Sequence, residues 1–329
     1  MNDFRLLRRH AWRVATLACL CAATLLPHGA WAQSDKTLTL IVPLTTGSTV
    51  DTLARTLSPA LGRVMGQAVV VENLVGAGGV SGTARLVRAP KDGQTLGLVS
   101  SNHVINPAIY KSMPFDSIKD ITPISVLATV PLVLVVTNSL PVSNLKDLMA
   151  YAKAHPGRVD YGSAGNGSVL HLAGELLKSE GGLFLTHIPY RGTGPLTTDL
   201  IGGQIQMAFL SVTAAAPHIK AGKLKAIGVS TAQRSQVLPL VPTLAESGLP
   251  HYSFDAWIAL IGPAGLPRDQ VAKLYQDTRQ VLGTKEMQDM LLVQGMTPVA
   301  MPPEATAAFF KAELVKHGDL VKKSGASND

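Results

Sequence analysis

Cysteine is almost missing from this 329-residue chain. Both cysteines, Cys19 and Cys21, lie near the start, inside a segment that we predict to be removed. Without them, residues 33–329 form neither a disulfide nor a thiolate metal site. The nine histidines are dispersed without metal-ligand spacing. The sequence therefore predicts no metal site.

Clustered positive charge is also lacking. Charged residues make up 16% of the chain and aromatic residues 5%, and the formal net charge is +7. The first 32 residues hold four arginines and one aspartate, so their removal lowers the charge to +4. A mild excess without a Lys/Arg cluster or interleaved aromatics argues against nucleic-acid binding. It is compatible with an anionic ligand.

Signatures of common enzymes are missing as well. There is no P-loop lysine motif, no G-x-S-x-G elbow and no pair of carboxylates within one loop. The glycines at 76–79 imitate a dinucleotide fingerprint, but Ser81 stands where the third glycine belongs, and no acidic residue follows at about twenty positions. We therefore predict a protein that is not an enzyme, with no catalytic residues and no cofactor. An exported enzyme stays as the alternative from another class.

The N-terminus has the pattern of a secretory signal. Four arginines precede an apolar stretch over 14–26, and Ala30 and Ala32 are the small residues that a signal peptidase inspects. The apolar stretch is shorter than the ~20 residues of a membrane span. We predict a cleaved signal peptide over 1–32 and a periplasmic protein that does not span the membrane. The alternative is a retained anchor.

Alternation of strand and helix patterns indicates the fold class. Short β-rich runs at 38–42, 68–72 and 95–100 are separated by helical patterns, and a second series runs from 133 to 230. This order predicts α/β architecture with parallel sheets. One more strand at 254–261 and three helical stretches then return to the first sheet. We predict two lobes, 33–125 with 253–329 and 126–252, joined by two crossing segments near 125–135 and 247–257.

Six loops at predicted strand ends are rich in Gly, Ser, Thr and Asn. They span 45–49, 76–79, 100–102, 164–168, 190–194 and 210–211. Helix starts present free N–H groups and glycine permits close backbone approach, so together these loops predict a cleft site for an oxygen-rich anion. Each loop alone is also explained by helix capping. His171 could serve as a cap or contact ligand, Arg191 could pair with a carboxylate or sit at the rim, and Asp51 complements a helix dipole.

Seven segments in a fixed order resemble one known family. They read IVP at 41–43 continuing to Asp51, VVEN at 70–73 with GAGG at 76–79, INPAIY at 105–110, YGSAGNGS at 161–168 with HLAGE at 171–175, IPYRG at 188–192, DLIGGQ at 199–204 and PHIKAGKL at 217–224. The pattern covers nearly the whole chain after residue 32 and resembles the substrate-binding proteins of tripartite tricarboxylate transporters, also called the Bug family of periplasmic receptors.

The resemblance implies a type II periplasmic-binding-protein fold that closes on a small carboxylate, commonly a di- or tricarboxylate. It also implies delivery of that ligand to a two-subunit membrane permease, and we expect a monomer. A sensor subunit that presents its ligand to a membrane receptor kinase is the alternative within this fold. The predicted ligand-binding residues are Thr45, Thr46, Gly47, Ser48, Thr49, Ser100, Ser101, Asn102, Ala164, Gly165, Asn166, Gly167, Ser168, His171, Tyr190, Arg191, Gly192, Thr193, Leu210 and Ser211.

Three departures from the family pattern bear on the ligand. The first loop reads TTGS at 45–48, where the family usually has two prolines and two glycines. Leu210 stands where an acid is common, and Arg191 where lysine is usual. More hydroxyls and one fewer acid preserve anion binding but leave the group at the far end of the ligand open. We expect Leu210, Ser211 and Arg191 to select that group.

Overall fold

The computed structural model describes residues 37–327, so the predicted signal peptide and both cysteines lie outside the described residues. The strands are β1 (Thr37–Val42), β2 (Ala68–Asn73), β3 (Thr95–Ser100), β4 (Ile121–Thr137), β5 (Asp160–Ser163), β6 (Thr186–Pro189), β7 (Met207–Ser211), β8 (Leu224–Val229), β9 (Asp255–Pro263) and β10 (Thr297–Pro298). The helices are α1 (Thr49–Met65), α2 (Val80–Val87), α3 (Asn102–Ile109), α4 (Leu145–Ala154), α5 (Val169–Gly181), α6 (Thr193–Ile201), α7 (Val212–Lys220), α8 (Arg268–Leu282), α9 (Lys285–Val293) and α10 (Pro303–Ser324).

Apolar spacing explains the first β–α unit. The side chains of β1 are buried from Leu40 to Val42. On α1, Leu53, Leu57 and Leu61 recur every fourth residue and are fully or almost fully buried. That spacing places the three leucines on one helix face, and burying each contributes about 1.5–3 kcal/mol. The helix therefore packs with a fixed face toward the sheet.

The strands follow the order β2-β1-β3-β9-β4-β7-β5-β6, and β8 and β10 also pair with β4. We call first lobe the part built on β1–β3, β9 and β10 with α1–α3 and α8–α10. The second lobe is the part built on β5–β8 with α4–α7. The fold is thus the predicted two-lobed α/β architecture. The lobe boundaries predicted at 125/126 and 252/253 stay a prediction.

Strand β4 passes from the first lobe into the second. Pro131 pairs with Asp255 of β9, whereas the next residue, Leu132, pairs with Ser211 of β7. The return segment lies alongside, because Ser230 Oγ accepts the N–H of Leu132 at 3.1 Å and Ser230 O accepts the N–H of Phe254 at 2.9 Å. Two adjacent chain segments therefore connect the lobes.

The prediction of parallel sheets is only partly right. Strands β1, β2 and β3 pair in parallel, as do β5, β6 and β7. The pairs that β4 makes with β7, β8, β9 and β10 are antiparallel, and so is β3 with β9. The reason is that β4 leaves the first lobe and β9 comes back beside it, without a crossover helix between two parallel strands.

Two elements were predicted incompletely. The strand expected at 133–137 is the end of β4, whose earlier part contains Pro123 and Pro131 and register shifts that hide the strand pattern. Helix α3 was not predicted, because its start reads as a polar loop and Pro107 lies inside it. Between residues 37 and 327, no helix combines the length and the apolar character needed to cross a membrane.

Candidate functional site

Loops that follow the carboxyl ends of β1, β2, β3, β5, β6 and β7 line one cavity of about 360 Å³. This is where open α/β sheets bind their ligands, and the volume lies in the range of small-molecule sites. Of the predicted ligand-binding residues, the lining includes Thr45, Gly47, Ser48, Thr49, Ser100, Asn102, Ala164, Ser168, Arg191, Gly192, Thr193 and Ser211. Both lobes contribute, so their glycines and hydroxyls lie around a shared space.

The first-lobe wall is held by a reciprocal cap at the start of α1. Ser48 Oγ accepts the N–H of Asp51 at 3.3 Å, and Asp51 Oδ2 accepts the N–H of Gly47 at 2.9 Å. Asp51 is 2% exposed and also accepts hydrogen bonds from Arg55 Nε at 3.0 Å and Asn73 Nδ2 at 2.9 Å. These hydrogen bonds therefore hold the loop before α1 in place.

The charge state of Asp51 follows from these partners. Burial opposes ionisation, but the hydrogen bonds from Arg55, Gly47 and Asn73 outweigh it and lower the pKa of the Asp51 carboxyl below its ordinary value. The sequence prediction of a dipole-complementing acid in the first turn of α1 agrees with this position. Asp51 does not line the cavity, so its negative charge faces the loop rather than a ligand.

The lobes touch across the cavity. Thr49 Oγ1 of α1 lies 3.3 Å from Ser211 Oγ at the end of β7. Asn102 Oδ1 of α3 accepts the N–H of Val169 of α5 at 3.3 Å. Hydroxyl and amide groups from both sides therefore stand within hydrogen-bond distance of one another, and a ligand oxygen can reach groups of both lobes.

Charge in the cavity is sparse. Among the lining residues that the structure describes, Arg191 carries the one charged side chain. Arg191 is exposed, and no acidic side chain between 37 and 327 forms an ion pair with it. Within that same range, no three His, Cys, Asp or Glu side chains gather as metal ligands. The groups that this cavity offers to an anion are dipoles, hydroxyls and one guanidinium.

Some predicted residues lie off the cavity. Ser101 is buried and its Oγ accepts the N–H of Trp257 at 3.0 Å. Thr46 Oγ1 lies 3.4 Å from Asn73 Oδ1, away from the lining. Tyr190 donates its hydroxyl to Asp199 at 2.9 Å. These three side chains contact neighbouring segments of the protein and do not line the cavity.

The structure contradicts the prediction made for Leu210. It was expected to select part of the ligand, but it is fully buried in the core and does not line the cavity. Neighbouring residues of a strand point to opposite faces, so the strand that brings Ser211 to the cavity turns Leu210 away from it.

The 164–168 loop lines the cavity with Ala164 and Ser168, whereas its middle residues and His171 are not part of the lining. Ser163 Oγ donates to Gly165 O at 3.0 Å and accepts the N–H of Gly165 at 3.1 Å. His171 Nδ1 accepts the N–H of Gly167 at 3.0 Å. His171 therefore makes the capping contact, and its contact with a ligand stays a prediction.

Sequence reasoning missed much of the floor of the cavity. The strands at the crossing contribute Val130, Leu132, Ala256, Trp257 and Ile258. These residues read as ordinary buried strand, so no sequence signal marked them. The glycines at 76–79 also line the cavity; they belong to one of the six predicted strand-end loops but are not among the predicted ligand-binding residues.

Trp257 is anchored from the C-terminal helix. Its Nε1 donates to Glu313 Oε2 of α10 at 3.0 Å, and His317 Nε2 lies 3.0 Å from the same oxygen. Burial opposes ionisation of Glu313, yet hydrogen bonds from His317 and Trp257 and the nearby charge of Lys316 lower its pKa to about 2. The last helix thus fixes an aromatic ring beside the cavity.

Comparison with known proteins gives a consistent result. A family model described as the tripartite tricarboxylate transporter family receptor matches residues 53–326. Protein BugT of Bordetella pertussis is 34% identical over 328 residues, which is 99% of each chain.

Solved structures agree with these relatives. The structure of R. palustris Rpa4515 with adipate has a TM-score of 0.84 at 32% identity, over 90% of this chain and 99% of that one. MatC from Rhodopseudomonas palustris with bound malate has a TM-score of 0.79 at 30% identity, over 88% of this chain and 99% of that one. The chain therefore belongs to the tripartite tricarboxylate transporter receptor family, the Bug family of periplasmic solute-binding receptors.

Proposed function

We propose that this protein is an exported receptor that captures a small carboxylate by lobe closure and delivers it to a tripartite tricarboxylate-type permease. One observation carries the proposal: loops from both lobes place hydroxyls and helix-start amides around one cavity, and Thr49 and Ser211 meet across it at 3.3 Å. Relatives solved with adipate and malate support a dicarboxylate, a tricarboxylate or a related acid as the ligand class. Export through the segment 1–32 and a monomeric state are part of the proposal.

Recognition starts at the first lobe. A ligand carboxylate accepts hydrogen bonds from the hydroxyls of Thr45, Ser48 and Thr49 and from amides at the start of α1, directly or through bridging water. The positive end of the helix dipole favours the anion there. Arg191 has no acidic partner among residues 37–327 and is available to a second carboxylate.

Closure couples binding to shape. A ligand that contacts Thr49 in the first lobe and Ser168 or Thr193 in the second favours the closed arrangement by its differential affinity for that state. The two connecting segments at β4 and 230–254 supply the hinge. A permease then distinguishes loaded from empty receptor by the closed form.

Calorimetry on hydroxyl variants tests the site. The double variant Thr49→Val with Ser48→Ala is expected to weaken adipate or malate binding at least several-fold, because a hydrogen bond to a charged group is worth about 1.5–3 kcal/mol. Thr52→Val, one turn further along α1 and off the cavity, is the matched control and should leave affinity unchanged. Unchanged affinity in the double variant would remove this loop from the site.

A thermal-shift screen identifies the ligand class. Saturation at a hundred times the dissociation constant stabilises the folded protein by about 2.7 kcal/mol, which a melting curve resolves. Dicarboxylates, tricarboxylates and uncharged amides of similar size form the panel. Failure of every carboxylate to raise the melting temperature, or turnover of a bound one, would contradict the proposed function.

A further inference from the structure

Each lobe has a helix at the cavity whose first turn is closed by a reciprocal cap, but the acceptor side chain differs between the two lobes. In the first lobe, GSTVD at 47–51 places Ser48 as the cap and Asp51 as the acceptor for the Gly47 amide. In the second lobe, GSVLH at 167–171 places Ser168 as the cap and His171 as the acceptor for the Gly167 amide, at 3.3 and 3.0 Å. An ionised carboxylate fixes one loop, and an imidazole fixes the other.

The protonation state of His171 follows from its contact. The Gly167 nitrogen is a donor, so His171 Nδ1 accepts only while it carries no proton. A proton on Nδ1 would set two donors against each other at 3.0 Å, and the 164–168 loop would lose its attachment at Gly167. Asp51 differs in this respect, because its hydrogen-bond partners lower the pKa of its carboxyl below the ordinary value and because a protonated carboxyl still keeps an acceptor oxygen.

A stacked second ring supports His171. His187 of β6 lies parallel to it, with ring centroids 3.8 Å apart, and its Nε2 is 2.7 Å from Ser163 Oγ, the hydroxyl that also holds Gly165. The contacts of Gly165 and Gly167 therefore both involve this histidine pair, the first through Ser163 and the second directly. A charge on either ring would face the other ring at close range.

The surrounding charges are few. Tyr161 of β5 stacks on both rings and donates its hydroxyl to Glu175, which also pairs with Lys178 at 2.8 Å. His171 Nε2 lies 3.7 Å from that carboxylate. Helix α10 also packs on α5, and its Lys316 and His317 each contact its Glu313. Burial is the largest influence on His171 and His187 and lowers their pKa to about 4 and about 3.

We propose that His171 is the positioning residue for the second-lobe part of the ligand site, the 164–168 loop. A proton on its Nδ1 releases this loop, whereas the 45–49 loop, which Asp51 holds, stays in place. The inference rests on the proposed function in one respect, that Ala164 and Ser168 of this loop face the ligand. His171 does not line the cavity, so it acts through the loop.

The test compares two variants by calorimetry with adipate as the probe. His171→Asn keeps an oxygen that can accept from Gly167 and does not titrate in this range, whereas His171→Leu keeps bulk without an acceptor. At pH 7 the Asn variant should bind within about threefold of the parent and the Leu variant at least about tenfold more weakly, as for a lost buried hydrogen bond. His155→Gln, an exposed histidine beyond α4, is the control.

The pH profile separates positioning from mere packing. The ratio of the dissociation constants of parent and Asn variant should rise about fourfold between pH 7 and pH 3.5, given a pKa of about 4 for His171. Protonation of adipate itself affects both proteins equally and cancels in the ratio. Parallel profiles, or a Leu variant that folds and binds like the parent, would overturn the proposal. If the Leu variant does not fold, the profile of the Asn variant decides.

Amide hydrogen exchange gives a readout that needs no ligand. Protection of the Gly167 amide should fall between pH 6 and pH 3.5 in the parent and stay constant in the Asn variant, while the Gly47 amide stays protected in both. Equal acid dependence of Gly167 in the two proteins would overturn the inference. A protein that binds no carboxylate would contradict the proposed function alone, and the exchange measurement would still decide on His171.

Discussion

Replacement of Asp51 should destabilise the protein and the site together. Its carboxylate is 2% exposed and accepts hydrogen bonds from Gly47, Arg55 and Asn73 at 2.9–3.0 Å. In Asp51→Ala the Gly47 amide loses its acceptor and the Asn73 side-chain amide keeps the Leu44 carbonyl alone, whereas Arg55 is half exposed and regains water. Charged hydrogen bonds are worth about 1.5–3 kcal/mol each and are not additive, so we expect a loss of about 3 kcal/mol. Asp51→Asn, which keeps one acceptor, should lose about half of that.

Asp147 provides the matched control for this prediction. Asp147 closes α4 by the same reciprocal cap: its carboxylate accepts the N–H of Ser143 at 3.2 Å, and Asn144 Oδ1 accepts the N–H of Asp147 at 2.9 Å. Unlike Asp51, it is exposed, and it does not line the cavity. Asp147→Ala should cost only about 1 kcal/mol, as for an exposed cap, and leave carboxylate affinity unchanged.

Urea unfolding and calorimetry measure the two effects. In a protein of this size, with an unfolding entropy of about 2.1 cal/mol/K per residue, about 3 kcal/mol corresponds to a melting temperature lower by roughly 5 °C. Affinity in Asp51→Ala should fall about tenfold or more, because the 45–49 loop loses the contact that orients its amides. Equal stability loss in the Asp51 and Asp147 variants, or unchanged affinity in the former, would refute the reasoning.

Two further predictions concern the tryptophan and the histidines. Trp257 lines the cavity, and the other two tryptophans lie within 1–32, so carboxylate binding should change its fluorescence and Trp257→Phe should abolish that change. A signal that survives in Trp257→Phe would place its source elsewhere. Burial lowers the pKa of His103 to about 4, and it also lowers the pKa values of His171 and His187. Below pH 6.5 the folded state therefore binds fewer protons than the unfolded state, and the free energy of unfolding falls as the pH drops. Urea unfolding should show a loss of about 1–2 kcal/mol per histidine between pH 7 and pH 5, and a flat profile would contradict the neutral assignments.

Several features of the molecule follow from the sequence by itself. The run of apolar residues into TTGST predicts β1 and the start of α1, and both stand where expected. Ser48, Ser168 and Ser211 precede helical patterns, and each caps a helix through its hydroxyl. These outcomes are local, because strand propensity, amphipathic spacing and capping depend on residues within a few positions of one another.

Other features were decided only when distant segments met. Nothing local marks Trp257 as a wall of the cavity, since its place depends on β9 crossing β4 and on Glu313 of α10. Likewise, the pairing of Thr49 with Ser211 joins positions 162 residues apart. Such contacts depend on how two lobes fold around shared strands. The sequence by itself therefore determined the capped loops, and the tertiary structure decided which side chains line the cavity and which, like Leu210, face the core.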